Sequence, residues 1–158
     1  MLETFWKWFG ITPQQYASNF DFVALTGGKE PFDYPQYPTL IQYAKDIINS
    51  FVISDEQMDD LLTILALDNE DEDILDYIVD HLPPKHFHLF IVMGLVHLQP
   101  HARWQLTEFI VRRKPKNAKE YLEKLCNDLD DYVRRRAFNA MNLIEKNTGD
   151  SSVCPTKN

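Results

Sequence analysis

Histidine is the side chain most suited to acid–base work near neutral pH and to metal ligation. All five in this chain, His81, His86, His88, His97 and His101, crowd into one stretch. His97 and His101 have the four-residue spacing of a helical ligand pair. Pro100 stands between them, and proline starts helices rather than continuing them. His97 has no Glu beside it, so the zinc-protease pattern is absent. His86 and His88 would point to opposite sides of a helix. The group reads as capping and core-edge histidines, with a histidine-centred metalloenzyme around residues 86–101 as an alternative.

Other chemistry-bearing patterns fall short. The acidic run 68–73 is not a calcium loop, which needs Gly at its sixth position and Glu at its twelfth; here they are Asp73 and Val79. Gly27-Gly28 is an isolated pair, not a phosphate-binding loop, and no Gly-x-Ser-x-Gly elbow exists. Two cysteines, Cys126 and Cys154, make neither a disulfide framework nor a four-ligand zinc site. Cys126 falls on an apolar helical stripe and reads as core. No catalytic residue, cofactor or metal is expected.

Charge is the unusual feature. Between Asp46 and Pro84 there are twelve acids and no Lys or Arg, while between Arg103 and Arg136 there are ten basic residues and six acids. Exposed ion pairs contribute only about 0–1 kcal/mol each, whereas a one-sign patch accelerates docking of an opposite-sign partner by roughly 10–10³-fold. A basic protein partner follows, with Asp71, Glu72, Asp73, Asp76 and Asp80 as contacts and Trp104 as an aromatic anchor. A net charge of −8 and a pI near 5.0 argue against general binding to nucleic acid or anionic membrane. The alternative is a nucleic-acid surface made by Arg103, Arg112, Arg113, Arg134, Arg135 and Arg136.

These residues need a scaffold. At 158 residues, 44% hydrophobic and 25% charged, the chain suits one ordinary domain. The longest apolar run, 87–98, is too short to span a bilayer. Residues 1–10 mix acid, base and aromatics and do not resemble a secretion signal. A cytoplasmic protein is expected. Half of the twenty aromatics and four of nine prolines lie in the first forty residues. Leu2, Phe5, Trp6 and Phe9 have helical spacing ended by Gly10. Thr12-Pro13-Gln14-Gln15 is a capping box. Residues 26–38, with Gly27-Gly28, Pro31, Pro35 and Pro38, are expected to be irregular. Further capping boxes at Thr39/Gln42, Ser54/Gln57 and Asn117/Glu120 begin helices. Others are predicted over 73–82, over 86–98, from Pro100 and from Asp130 or Asp131. The fold class is all-α. An aromatic- and proline-rich N-terminal cap covers 1–38, repeated helices cover 39–146, and 147–158 is a polar tail expected to be disordered.

Three segments repeat at about thirty residues. The clearest is residues 125–137, with Asp128, Asp131, Val133, Arg134 and Ala137. Residues 98–106 match its second half through Ala102-Arg103, and 65–74 match its first half. An acidic turn followed by Val-Arg and an Ala three residues later resembles a HEAT-type repeat of the short two-helix kind, over about 54–146. The resemblance implies a HEAT-like α-solenoid whose second helices line the concave face, an architecture that binds macromolecules. Small size, acidity and such a scaffold give a concrete expectation. The chain would be a bacterial immunity protein that occludes a basic toxin, such as a nuclease, with carboxylates standing in for the toxin's anionic substrate.

Overall fold

The computed structural model describes residues 1–18 and 22–148. Among them lie ten α-helices, two short 3-10 turns and no strand. α1 (Leu2–Phe9), α2 (Pro13–Ala17) and α3 (Phe22–Thr26) form the aromatic N-terminal region. α4 (Tyr37–Ile48), α5 (Asp55–Leu67), α6 (Asp73–His81), α7 (Phe87–Leu95), α8 (Pro100–Arg113), α9 (Ala118–Leu125) and α10 (Asp131–Thr148) follow. Local signals in the chain translate directly at several helix starts. Thr12/Gln15 and Ser54/Gln57 form both bonds of a capping box. Gly10, at φ 86°, closes α1 by donating its N–H to the Trp6 carbonyl. Asp130 accepts from the N–H groups of Tyr132 and Val133 and so caps α10.

Three boundaries differ from expectation. Residues 26–38 are not wholly irregular: α3 ends inside the segment, Pro31–Asp33 forms a 3-10 turn, and α4 begins at Tyr37. Pro38 is tolerated because the first helical N–H groups need no intrahelical partner. Thr39 is therefore already helical and does not cap. Asn117 stands at the start of α9 without a side-chain capping bond. The apolar run after Pro83-Pro84 is helical, but α7 ends at Leu95 rather than at residue 98. α10 continues to Thr148, so the expected tail 147–158 begins two residues too early; residues 149–158, including Cys154, lie outside the described residues, as does Phe20.

From α5 onward the helices pack within pairs and on the following pair. α7 pairs with α8 and α9 with α10, while α8 also packs on α5, α6 and α10. Leu62, Leu65, Phe90, Leu106, Phe109 and Ile110 are fully buried in this layer. α7 approaches closely because Gly94 has no side chain: a Cβ there would lie 3.1 Å from Leu106 Cδ2. At the N-terminal end Phe5 and Phe9 are fully buried among Trp6, Trp8, Tyr16 and Tyr34.

Two turns, 31 residues apart, carry the same hydrogen bonds. Arg103 Nη1 donates to the carbonyls of His97 (2.7 Å) and Leu98 (3.1 Å), six and five residues before it. Arg134 Nη1 donates to the carbonyls of Asp128 (2.6 Å) and Leu129 (2.9 Å) at the same offsets. In the second turn Asp128 Oδ1 accepts from the Asp130 N–H; in the first His97 Nδ1 accepts from the Gln99 N–H. The imidazole thus occupies the turn-acid position that the sequence pattern left vacant.

Candidate functional site

The apolar positions of α6, Ile74, Leu75, Ile78 and Val79, are buried, so Asp73, Asp76 and Asp80 are turned outward. Asp71 is exposed in the turn before them. Glu72 is half-buried and holds a left-handed backbone (φ 58°). Among the described residues Asp76 alone of these five is ion-paired, to Arg112 at 2.7 Å. The expected contact acids are therefore together and mostly uncompensated.

Trp104 is placed otherwise. It is only 5% exposed, its indole N–H faces His101 Nδ1 at 3.3 Å, and Tyr132 meets it edge-on with Arg136 over its face. It packs within the chain instead of standing out as an anchor, because Tyr132 and Arg136 of α10 close over it.

The arginines are largely engaged. Arg103 binds Asp128 through two bonds of 2.7 and 3.0 Å. Arg112 holds Asp76, and Arg113 donates to the Val79 carbonyl with its guanidinium over Phe87. Arg134 meets Asp131, and Arg136 holds Glu108 at 2.7 Å. Arg135 is exposed beside the Tyr132 ring.

The histidines separate rather than converge. His81 stacks on Tyr77 at 4.0 Å; His88 is exposed. His86 is buried with no hydrogen-bond partner at Nε2. His97 is buried against Asp59 (3.6 Å) and Thr63 (3.4 Å). Burial lowers the His97 pKa from 6.5, with Arg103 adding to the effect and Asp59 opposing it. Burial likewise lowers that of His101. Among the described residues no three His, Cys, Asp or Glu side chains are grouped to hold a metal.

One site was not anticipated from the sequence. Between the N-terminal region and the α5–α6 turn lies a cleft of about 200 Å³. Tyr16, Phe22, Phe32 and Tyr37 supply aromatic walls, and Glu30, Glu70 and Asp71 supply carboxylates at the lining. Among the described residues no Lys or Arg lines it, and His101 is its one imidazole. Asp68, 3% exposed, also lines it; its two oxygens accept from the Tyr37 hydroxyl and the Ile74 N–H, both at 2.8 Å. Asp68 thereby anchors α6 and ties the N-terminal region to it.

No family model, curated protein or solved structure gives a significant match to this chain.

The electrostatics of the cleft are those of crowded negative charge. Burial, then Glu70 and Asp33, raise the Glu30 carboxyl above its ordinary range. Burial outweighs the two donated hydrogen bonds at Asp68, whose pKa is also raised, with Asp73 and Asp71 contributing. The Tyr16 hydroxyl is pushed far up by burial and by Glu30 and Glu70; Tyr37 follows through burial and Asp68. Nearby, burial and Asp60 push the Tyr43 hydroxyl up to about 12. Of the expected contacts only Asp71 lines the cleft. Glu30, Glu70 and the four rings were missed because their juxtaposition is between segments distant in sequence. The signals available were the aromatic excess of the first forty residues and the acidic run 68–73.

Proposed function

We propose that this chain is a non-catalytic binding protein whose acidic side docks a basic protein, in the concrete form of a bacterial, cytoplasmic immunity protein that occludes a cationic toxin such as a nuclease. The observation that carries this reading is the unequal use of charge. Arg103, Arg112, Arg134 and Arg136 are paired with carboxylates of the chain, while Asp71, Asp73 and Asp80 stand exposed without a cationic partner among the described residues. Such acids contribute little to stability and much to long-range attraction. The scaffold in this reading is a short HEAT-like stack of helix pairs. The recurrence of the Arg103 and Arg134 turns and the packing of each pair on the next support it. Among the described residues no helix is long and apolar enough to cross a membrane.

The test is to isolate the partner from the native host, identify it, and measure association with the wild type and with Asp71→Lys/Asp73→Lys/Asp80→Lys. The expected partner is basic, its association slows as salt rises, and the triple variant associates roughly tenfold or more slowly at low ionic strength. An acidic partner, or an association rate indifferent to the triple reversal, overturns the proposal.

A further inference from the structure

A surface field attracts a partner, but a concave feature fixes where one of its side chains must go. The cleft beside the α5–α6 turn combines three properties that need not occur together. Its walls are aromatic, four carboxylates (Glu30, Asp68, Glu70 and Asp71) stand among its polar groups beside Asn69 and His101, and among the described residues no lysine or arginine lines it. Aromatic faces and carboxylates share one preferred ligand, an organic cation.

Asp68 gives an independent indication. A carboxylate taken almost wholly out of water is normally matched by a cation. Here both donors to it, the Tyr37 hydroxyl and the Ile74 N–H, are neutral. Its counterpart in the later turn, Asp128, has Arg103 across two short bonds. The first turn thus holds a buried negative charge whose cation the described chain does not provide. Burial raises the pKa values of Glu30, Tyr16 and Tyr37 most, and neighbouring carboxylates add to it: Glu70 at Glu30, Glu30 and Glu70 at Tyr16, Asp68 at Tyr37. A compact metal ion is a poor match, since the polar groups are dispersed around rings and no three ligands converge among the described residues. A long side chain ending in ammonium or guanidinium fits better, because its stem can lie against the rings while its head meets the acids.

We propose that this cleft is the socket for one lysine or arginine side chain of the partner, a specification that rests on the docking function proposed above. Phe22, Phe32 and Tyr16 would flank the aliphatic stem, and Glu70, Asp71 and Glu30 would receive the charged head.

The socket can be tested on the protein alone by amide NMR titration. The probes are Nα-acetyl-arginine amide and Nα-acetyl-lysine amide; the neutral isostere is Nα-acetyl-citrulline amide, and putrescine represents a free small-molecule amine. At least one of the two basic amides is expected to give saturable shifts confined to the cleft, with the citrulline probe producing none. Glu70→Gln/Asp71→Asn, both on the exposed turn, should weaken binding roughly tenfold. Phe32→Ala should weaken it without a change of charge. Thermal unfolding of each variant checks that the fold persists. Equal shifts from citrulline, no saturable shifts from either basic amide, or binding of putrescine alone would overturn the socket. Because these probes need no partner, that failure is separable from failure of the docking function, which the reversal at Asp71, Asp73 and Asp80 addresses through the identified partner.

Discussion

The α5–α6 and α9–α10 turns both carry a largely buried aspartate, and they resolve its charge in opposite ways. Asp128 faces Arg103 from the preceding helix pair in a two-bond ion pair, and the side chains are only 8% and 13% exposed respectively. Asp68 faces the hydroxyl of Tyr37 and a backbone N–H. The later turn is therefore electrostatically complete inside the chain. The earlier one keeps a net charge beside an aromatic cleft. An aspartate in the turn between two packed helices can be closed by an internal cross-link or left without a cation, and the deciding factor is whether an arginine stands opposite.

The largest effect should come from breaking the completed turn. Arg103→Ala removes the partner of a buried carboxylate and uncaps the His97 and Leu98 carbonyls. A loss of about 3–5 kcal/mol is expected in denaturant unfolding. A loss under about 1 kcal/mol would show that the pair is not the closure it looks to be.

A smaller effect sharpens the contrast. Asp128→Asn should cost about 2 kcal/mol or more, since a charged bond to a guanidinium is lost. Asp68→Asn gives up an acceptor for the Ile74 N–H but also relieves a buried charge, so a net cost near 1 kcal/mol is expected. Equal costs measured by the same unfolding assay would erase the proposed distinction between the turns.

The smallest effect concerns the middle turn, where His97 takes the acid's place. Its folded pKa lies below 6.5, so over the window between the two values the unfolded chain holds more protons than the native one. Its contribution to stability is therefore present above pH 6.5 and is lost as pH falls through the lowered value. His101 contributes with the same sign. The raised carboxyls of Asp68 and Glu30 act with the opposite sign: the native state gains stability as pH falls from their raised values toward the ordinary carboxylate range. His97→Gln should flatten the fall in stability just below pH 6.5, read as unfolding midpoint against pH. An unchanged profile would mean that His97 is protonated as readily in the folded protein as in the unfolded one.

The helices themselves could be read from the chain because their causes are local. The apolar stripe of α6, the capping boxes at Thr12 and Ser54, and Asp130 before α10 all act within a few residues. Where reading failed, a competing local rule was available. Thr39 looked like a cap, but Pro38 immediately before it suits the first helical turn equally well, and α4 begins at Tyr37. Trp104 looked like an anchor because exposed aromatic side chains are typical interface anchors and it stands beside Arg103. Its burial depends on Tyr132 and Arg136 from another helix, which no pattern around position 104 contains.

By itself the sequence determined an all-helical chain with segregated charge, since periodicity, capping chemistry and the count of acids and bases are properties of neighbouring residues. The tertiary structure decided which of those charges remain available. Whether an arginine is a cross-link or a ligand-binding group, and whether Glu30 and Glu70 meet around four rings, depends on distances between side chains far apart in the chain. Ion pairs and ring contacts form only where side chains come within a few ångströms, so only the packed helices could set them.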